Sequence, residues 1–241
     1  MCPQKRAIGY KIDGCFAPLL TLPASSLHLI PHHVSFEQAA LIEPIAIVMK
    51  ALGQKCRLEP EDFVVVLGCG PIGLLSAAVA GTMGARAVVI SGTNDDEKIR
   101  LDVARKMNID HVVNIQREDL ARKVDELTNG VGADLVIEAC GAPSAIGQAF
   151  DLIRTNGRIC GLGMAGADSV AFPWNAGLLK SAELIFSASS NWTSWRRAIS
   201  ILARKQIHVD QLITKTMPIS QWQDAFALLK KMEAIKVLLI P

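Results

Sequence analysis

One stretch limits what this chain can fold into more than any other: Phe63-Val64-Val65-Val66-Leu67-Gly68-Cys69-Gly70-Pro71-Ile72-Gly73. Five consecutive apolar residues without polar alternation read as a strand covered on both faces, as in a parallel sheet. The glycines behind them have the spacing G-x-G-x-x-G, and an amphipathic helix-length segment opens at once, near 71–83. Glycine is common, so the spacing alone says little; strand before and helix after give it meaning. Gly68 is expected to make a tight turn, Gly70 to let backbone approach a pyrophosphate, and Gly73 to let helix and strand pack closely. Pro71 and Ile72 open the helix, where a missing N–H costs nothing and the remaining free N–H groups and positive dipole end suit an anion.

The same rhythm continues along the chain. Ala87–Ser91, His111–Asn114, Asp134–Glu138, Arg158–Gly161 and Leu184–Ser187 read as further strands, with helices near 96–107, 117–128 and 144–154 between them. Strand, helix, strand at this spacing predicts right-handed crossovers and an open α/β, doubly wound parallel sheet of the Rossmann type, binding a dinucleotide. Ligands in such sheets sit at the carboxyl ends of the strands. Ser91, Gly92 and Thr93 should therefore border the adenosine ribose. Ala139, Cys140, Gly141, Gly161, Leu162 and Gly163 should border the nicotinamide half, small residues leaving room for the ring. The acidic residue expected at the second strand's end is missing. Either Asp95 reaches back to the ribose, favouring NAD, or the small Ser-Gly-Thr turn admits a 2′-phosphate, favouring NADP.

Before the glycine turn, residues 1–36 read as short strands and loops punctuated by Pro18, Pro23 and Pro31. Ser35 caps a helix that Pro44 breaks or restarts. After the sheet, helices are expected near 194–204 and 220–232, and a closing strand at Lys236–Ile240.

Composition matters here for what it excludes. Hydrophobic residues are 50% and charged residues 20%, which excludes disorder. A net charge of +2 and 5% aromatics give no case for nucleic acid or an anionic membrane as partner. Apolar runs such as Ala77-Ala78-Val79-Ala80 are too short to span a bilayer, and the start leads into no apolar signal region. Six scattered cysteines without a CxxC pair read as reduced thiols of a cytoplasmic protein.

Several segments together resemble the zinc-type medium-chain dehydrogenase/reductase superfamily, in its sorbitol (L-iditol) and threonine dehydrogenase-like branch. They are Asp13-Gly14-Cys15-Phe16-Ala17, Leu27-His28-Leu29-Ile30-Pro31, Ala39-Ala40-Leu41-Ile42-Glu43-Pro44, the glycine turn, Ile137-Glu138-Ala139-Cys140-Gly141, Gly157-Arg158-Ile159-Cys160-Gly161-Leu162-Gly163 and Lys236-Val237-Leu238-Leu239. The resemblance implies NAD or NADP as cofactor, zinc in a complete member, a small-molecule alcohol or polyol as substrate, and a homo-oligomer, dimer or tetramer, formed through the strand near Leu184–Ser187. It implies that residues 1–44 are the remnant of a GroES-like catalytic domain, 45–191 the cofactor domain, and 192–241 a segment returning to the catalytic domain. Cys2 corresponds to the last cysteine of a structural zinc loop. The other cysteines of that loop, the catalytic cysteine and the Gly-His-Glu motif have no counterpart, so the chain reads as truncated at its amino end. Glu43 is the one active-site carboxylate carried over, as a metal ligand or a partner of the metal's water; the bland alternative is a carboxylate favoured by a helix start. Lys50 stands where many relatives carry a histidine.

Other residues suit packing better than chemistry. His32 and His33 are adjacent and point apart on an extended chain, which argues against a shared metal. Trp192 and Trp195 could line a cleft, but packing of a domain junction is the simpler reading. Two functions stay open: an NAD(P)-dependent alcohol or polyol dehydrogenase, and a nucleotide-binding chain without turnover. Loss of a covering domain would also expose apolar surface on residues 1–44 and promote association.

Overall fold

The computed structural model describes Gln4 and residues 6–241, so the expectation attached to Cys2 lies outside the described residues. Among the described residues, six strands make one parallel sheet: β1 (Phe63–Leu67), β2 (Ala87–Gly92), β3 (His111–Asn114), β4 (Ala133–Glu138), β5 (Ile153–Gly161) and β6 (Glu183–Phe186). Their order is β3-β2-β1-β4-β5-β6. That is the order of two mononucleotide-binding halves joined back to back, and it puts the reversal between β1 and β4.

The apolar runs explain the layering. All five residues of β1 are buried. Val64 and Val66 face one side and share a core with Leu74 and Leu75 of α3 (Pro71–Thr82). Phe63, Val65 and Leu67 face the other, against Leu120 and Val124 of α5 (Leu120–Thr128) and Phe150 of α6 (Pro143–Leu152). A strand that must fill two cores cannot alternate with polar residues. The remaining crossover helix is α4 (Arg100–Lys106), between β2 and β3, and α7 (Trp174–Leu179) precedes β6.

The first core extends beyond the sheet. Leu41, Ile45 and Val48 join it from the amino-terminal side, and Ala198, Ile201 and Leu202 from α8 (Trp192–Ala203). Ser35 caps α1 (Phe36–Ala39) by accepting from the Gln38 N–H at 3.2 Å, in a capping box. The chain then breaks at Ala40-Leu41 and restarts as α2 (Ile42–Lys50). Pro44 sits in the first turn of α2, where its absent N–H has no intrahelical partner to lose.

Residues 6–34 differ from expectation. They hold an isolated bridge between Ile8 and Ile12 and a 3-10 turn at Ala24–Ser26, and no strand among the described residues. A strand needs a hydrogen-bonding partner, and this segment lies instead on the carboxyl-terminal elements. Phe16 packs edge-on to Phe226 of α9 (Trp222–Lys230) at 6.3 Å. His28 stacks on Trp195 at 5.0 Å and lies 4.0 Å from Trp192. His33 contacts the Ala203 carbonyl at 2.9 Å. The tail also holds a strand with no sequence expectation behind it: β7 (Ile213–Pro218) pairs in parallel with β8 (Lys236–Ile240), α9 crossing between them.

Candidate functional site at the strand ends

The carboxyl ends of β1, β2, β4 and β5 converge on the switch point, and the sequence-predicted residues gather there. Gly68 has φ +100°, a backbone region that side chains rarely adopt. A Cβ there would also fall 2.8 Å from Cys140 Cβ, so the turn after β1 and the turn after β4 touch across this glycine. Its N–H donates to the Ser91 carbonyl at 3.1 Å, while Ala139 N–H donates to the Leu67 carbonyl at 2.9 Å. The three loops are thus laced edge to edge.

Gly70 caps α3, and a Cβ built on it meets nothing within 4 Å. Open space therefore lies directly over the start of α3. Pro71 has no N–H, and those of Ile72 and Gly73 belong to the first turn, which has no intrahelical acceptors. A Cβ on Gly73 would strike the Gly68 carbonyl, so close strand–helix packing requires glycine here too. This is a concave, donor-lined and dipole-positive place, suited to a phosphate.

At the far end of β4 and β5 the organiser is Glu138, which is 3% exposed. Its Oε1 accepts from Cys140 N–H (2.9 Å), Gly141 N–H (2.7 Å) and the Cys140 thiol (3.0 Å). Its carbonyl accepts from Leu162 and Gly163 N–H at 2.9 and 3.0 Å. Ala139, Cys140, Gly141, Gly161, Leu162 and Gly163 are thus brought together by a carboxylate that sequence reasoning treated only as a strand end. The available signal was an acidic residue closing an otherwise apolar strand. Burial, and then the hydrogen bond to Glu138, push the Cys140 thiol up to about 11. A cavity of about 350 Å³ adjoins this end, lined by Glu138, Ile159, Gly161, Gly163 and Phe186. Another of about 230 Å³, against Val88 and Asp110, lies at the amino ends of the strands, away from these loops.

Beside the β2 end, the two adjacent aspartates part company. Asp95 is exposed in the 3-10 turn Asn94–Asp96. Asp96 is buried and turns back onto Thr93, accepting from its N–H at 3.0 Å and its hydroxyl at 2.9 Å. Its other oxygen pairs with Arg100 at 3.0 Å. Burial pushes the Asp96 carboxyl up, but the bonds from Thr93 and Arg100 outweigh it and hold it below the usual carboxylate range. Of the two aspartates, Asp95 thus faces solvent while the 3-10 turn aims Asp96 inward.

Glu43 is exposed in the first turn of α2. Among the described residues no three His, Cys, Asp or Glu side chains gather as a metal would need. A catalytic zinc site needs about three protein ligands, so the described residues do not fit one. Lys50 is buried and donates to the Ala188 carbonyl at 2.7 Å, behind β6. Trp195 donates to Ser190 Oγ at 3.0 Å and packs against the core, whereas Trp192 is half exposed. No helix among the described residues is long and apolar enough to cross a membrane.

Comparison with known proteins agrees with this geometry. The family model for zinc-binding dehydrogenase matches residues 71–204. The chain is 35% identical to a D-arabitol-phosphate dehydrogenase of Enterococcus avium, across 99% of this chain and 67% of the relative. It is 36% identical to a sorbitol dehydrogenase of Halalkalibacterium halodurans, across 100% and 69%. Among solved structures, an alcohol dehydrogenase of Escherichia coli CFT073 complexed with NADH superposes with a TM-score of 0.87 at 26% identity, covering 97% of this chain and 68% of that one. The alcohol dehydrogenase TADH of Thermus sp. ATN1 gives 0.86 at 27%, covering 95% and 66%. The chain thus spans about two thirds of the length of the proteins it matches.

Proposed function

The chain belongs to the zinc-binding dehydrogenase family, and on that premise we propose that its strand ends bind NAD or NADP as the cofactor half of an alcohol or polyol dehydrogenase. The observation that carries this reading is the open space over Gly70 at the start of α3, set at the point where the strand order reverses. Gly68, Gly70, Pro71, Ile72 and Gly73 would cradle the pyrophosphate. Ser91, Gly92 and Thr93 would border the adenosine ribose. Ala139, Cys140, Gly141, Gly161, Leu162 and Gly163 would border the nicotinamide, held in place by Glu138.

When bound, the cofactor would supply a hydride acceptor for a secondary alcohol carbon, the hydroxyl proton passing to solvent as the alcohol becomes a ketone. The chain's own part is to bind, orient and keep water from the ring face. Glu43 is assigned as an active-site carboxylate of a complete member, on the metal side, and no step here runs through it. We assign residues 1–44 and 192–241 to the catalytic side of a complete member and 45–191 to the cofactor side, with α2 and α8 forming the seam. We further propose a homo-oligomer formed through β6, and a cytoplasmic setting, in which Cys56, Cys69 and Cys160 serve as buried core side chains.

Titration with NADH and NADPH, followed by protein-to-nicotinamide fluorescence transfer, tests the reading. Saturable binding by the native chain is expected. Gly70→Val places a side chain where the fold has room, so it should leave the melting temperature within about 2 °C while weakening binding about tenfold or more. A chain that binds neither cofactor overturns the proposal. Binding without oxidation of sorbitol or related polyols would favour the nucleotide-binding reading over the catalytic one.

A further inference from the structure

The second strand lacks the carboxylate that commonly receives the adenosine ribose hydroxyls, and the structure shows why none could stand at its end. A Cβ on Gly92 would fall 2.5 Å from Cys69 Sγ, 3.0 Å from Leu101 Cδ2 and 3.2 Å from Asp96 Oδ2. The volume that an acidic side chain at position 92 would enter is already taken, and one occupant is a carboxylate oxygen. The Cys69 thiol, inside the glycine turn itself, lies beside Asp96 across that same position. Its carboxylate therefore touches both loops that would flank the ribose: the turn after β1 through Cys69, and the turn after β2 through Gly92 and Thr93. Arg100 holds the opposite oxygen, Oδ1, and so fixes the orientation of the group.

We propose that Asp96 is the cofactor-selecting residue of this chain: a carboxylate delivered from the 3-10 turn behind β2 to the place that a strand-end acid would fill, where it favours a free ribose 2′-hydroxyl over a 2′-phosphate. The assignment rests on the cofactor reading above. A carboxylate accepts from a hydroxyl and repels a phosphate, so the same group gives attraction and rejection. Thr93, whose hydroxyl donates to Asp96, keeps its own lone pairs for the second ribose hydroxyl. Gly92 is required because a Cβ there would run into the Cys69 thiol and crowd Leu101 and Asp96. The selectivity thus depends on a glycine and an aspartate four positions apart acting together.

Competition on the native chain gives the first test. Adenosine 5′-monophosphate should displace NADH at concentrations about tenfold or more below those needed for adenosine 2′,5′-bisphosphate, and NADH should bind about tenfold or more tighter than NADPH. In Asp96→Asn the NADH/NADPH ratio should fall to within about threefold, chiefly through weaker NADH binding. Should the variant fail to fold, the two adenosine nucleotides on the native chain still decide the matter. Equal or tighter binding of the 2′-phosphorylated nucleotides, or an unchanged ratio in a folded Asp96→Asn, overturns the assignment and leaves cofactor binding standing. Binding of neither cofactor removes both.

Discussion

Cys140 illustrates how one buried carboxylate sets the chemistry of a neighbour. Glu138 gathers two N–H groups and the Cys140 thiol on a single oxygen. Burial disfavours the thiolate, and the adjacent negative charge disfavours it again, so the thiol is raised to about 11. At pH 7.5 roughly one molecule in 3,000 then carries the thiolate, the form that reacts. Cys140 is therefore a donor that helps to shape the β4 turn and not a nucleophile, although part of the residue is exposed. Peptide-resolved alkylation with iodoacetamide at pH 7.5 should label the exposed Cys15 at least about tenfold faster than Cys140, with Cys140 catching up only as the pH approaches 11. Comparable rates at pH 7.5 would show that Glu138 does not hold the thiol as described. The contrast between Asp95 and Asp96 makes a related point about legibility. Two neighbouring aspartates are equivalent in a spacing argument, and only the 3-10 turn, closed by Asp96 on Thr93, decides which one points inward.

At the scale of elements, the sheet is joined at its amino ends by Asp134. One oxygen accepts from the Phe63 N–H at 2.7 Å, and the other pairs with Arg154 at 2.5 Å, so a single side chain of β4 ties the start of β1 to β5. Burial pushes its carboxyl up, and the Phe63 N–H and Arg154 outweigh that and leave it below the ordinary value. A folded-state value below the unfolded one means that the ionised group contributes stability above about pH 4, and that this contribution is lost as the pH falls through the folded value. Thermal melts should show Asp134→Asn less stable than the native chain at pH 7, with the gap narrowing between about pH 4 and pH 2. A gap that stays constant over that range would mean that the carboxylate's charge is not what Asp134 contributes. Most of this sheet was legible in the sequence, because a strand buried on both faces leaves an unbroken apolar run, as β1 does. β7 was not legible. Ile213-Thr214-Lys215-Thr216-Met217-Pro218 is partly exposed, paired on one side with β8, and so carries neither an apolar run nor clean alternation. The amino-terminal segment failed in the opposite direction, since apolar pieces between prolines imitate strands while their contacts are with aromatic rings of α8 and α9.

For the molecule as a whole, the sheet ends on one side in an apolar edge. β6 closes the sheet with Leu184 38% and Phe186 72% exposed, and the neighbouring Trp174, Leu178 and Leu179 are more than two thirds exposed. An unpaired strand edge flanked by large apolar side chains is a template for another chain. A second copy meeting it through a two-fold axis satisfies both edges with one interface, since the same surface serves each partner. Elsewhere Tyr10, Phe16, Leu19, Leu29 and Phe36 are also largely exposed, on a segment without regular pairing of its own. The two surfaces should associate differently. The edge has a fixed register and should give a defined oligomer, whereas the amino-terminal side chains offer only unpatterned apolar area and should give concentration-dependent, polydisperse association. Light scattering coupled to size exclusion separates the two. The native chain should elute at a multiple of its 25.9 kDa mass, and Leu184→Lys with Phe186→Lys should reduce the defined species toward one chain while leaving any polydisperse fraction in place. A native chain that runs as a monodisperse monomer would contradict both surfaces. A lysine variant that keeps the native oligomer would move the interface away from β6 and leave the cofactor site untouched, because the glycine turn lies at the switch between β1 and β4, two strands in from that edge.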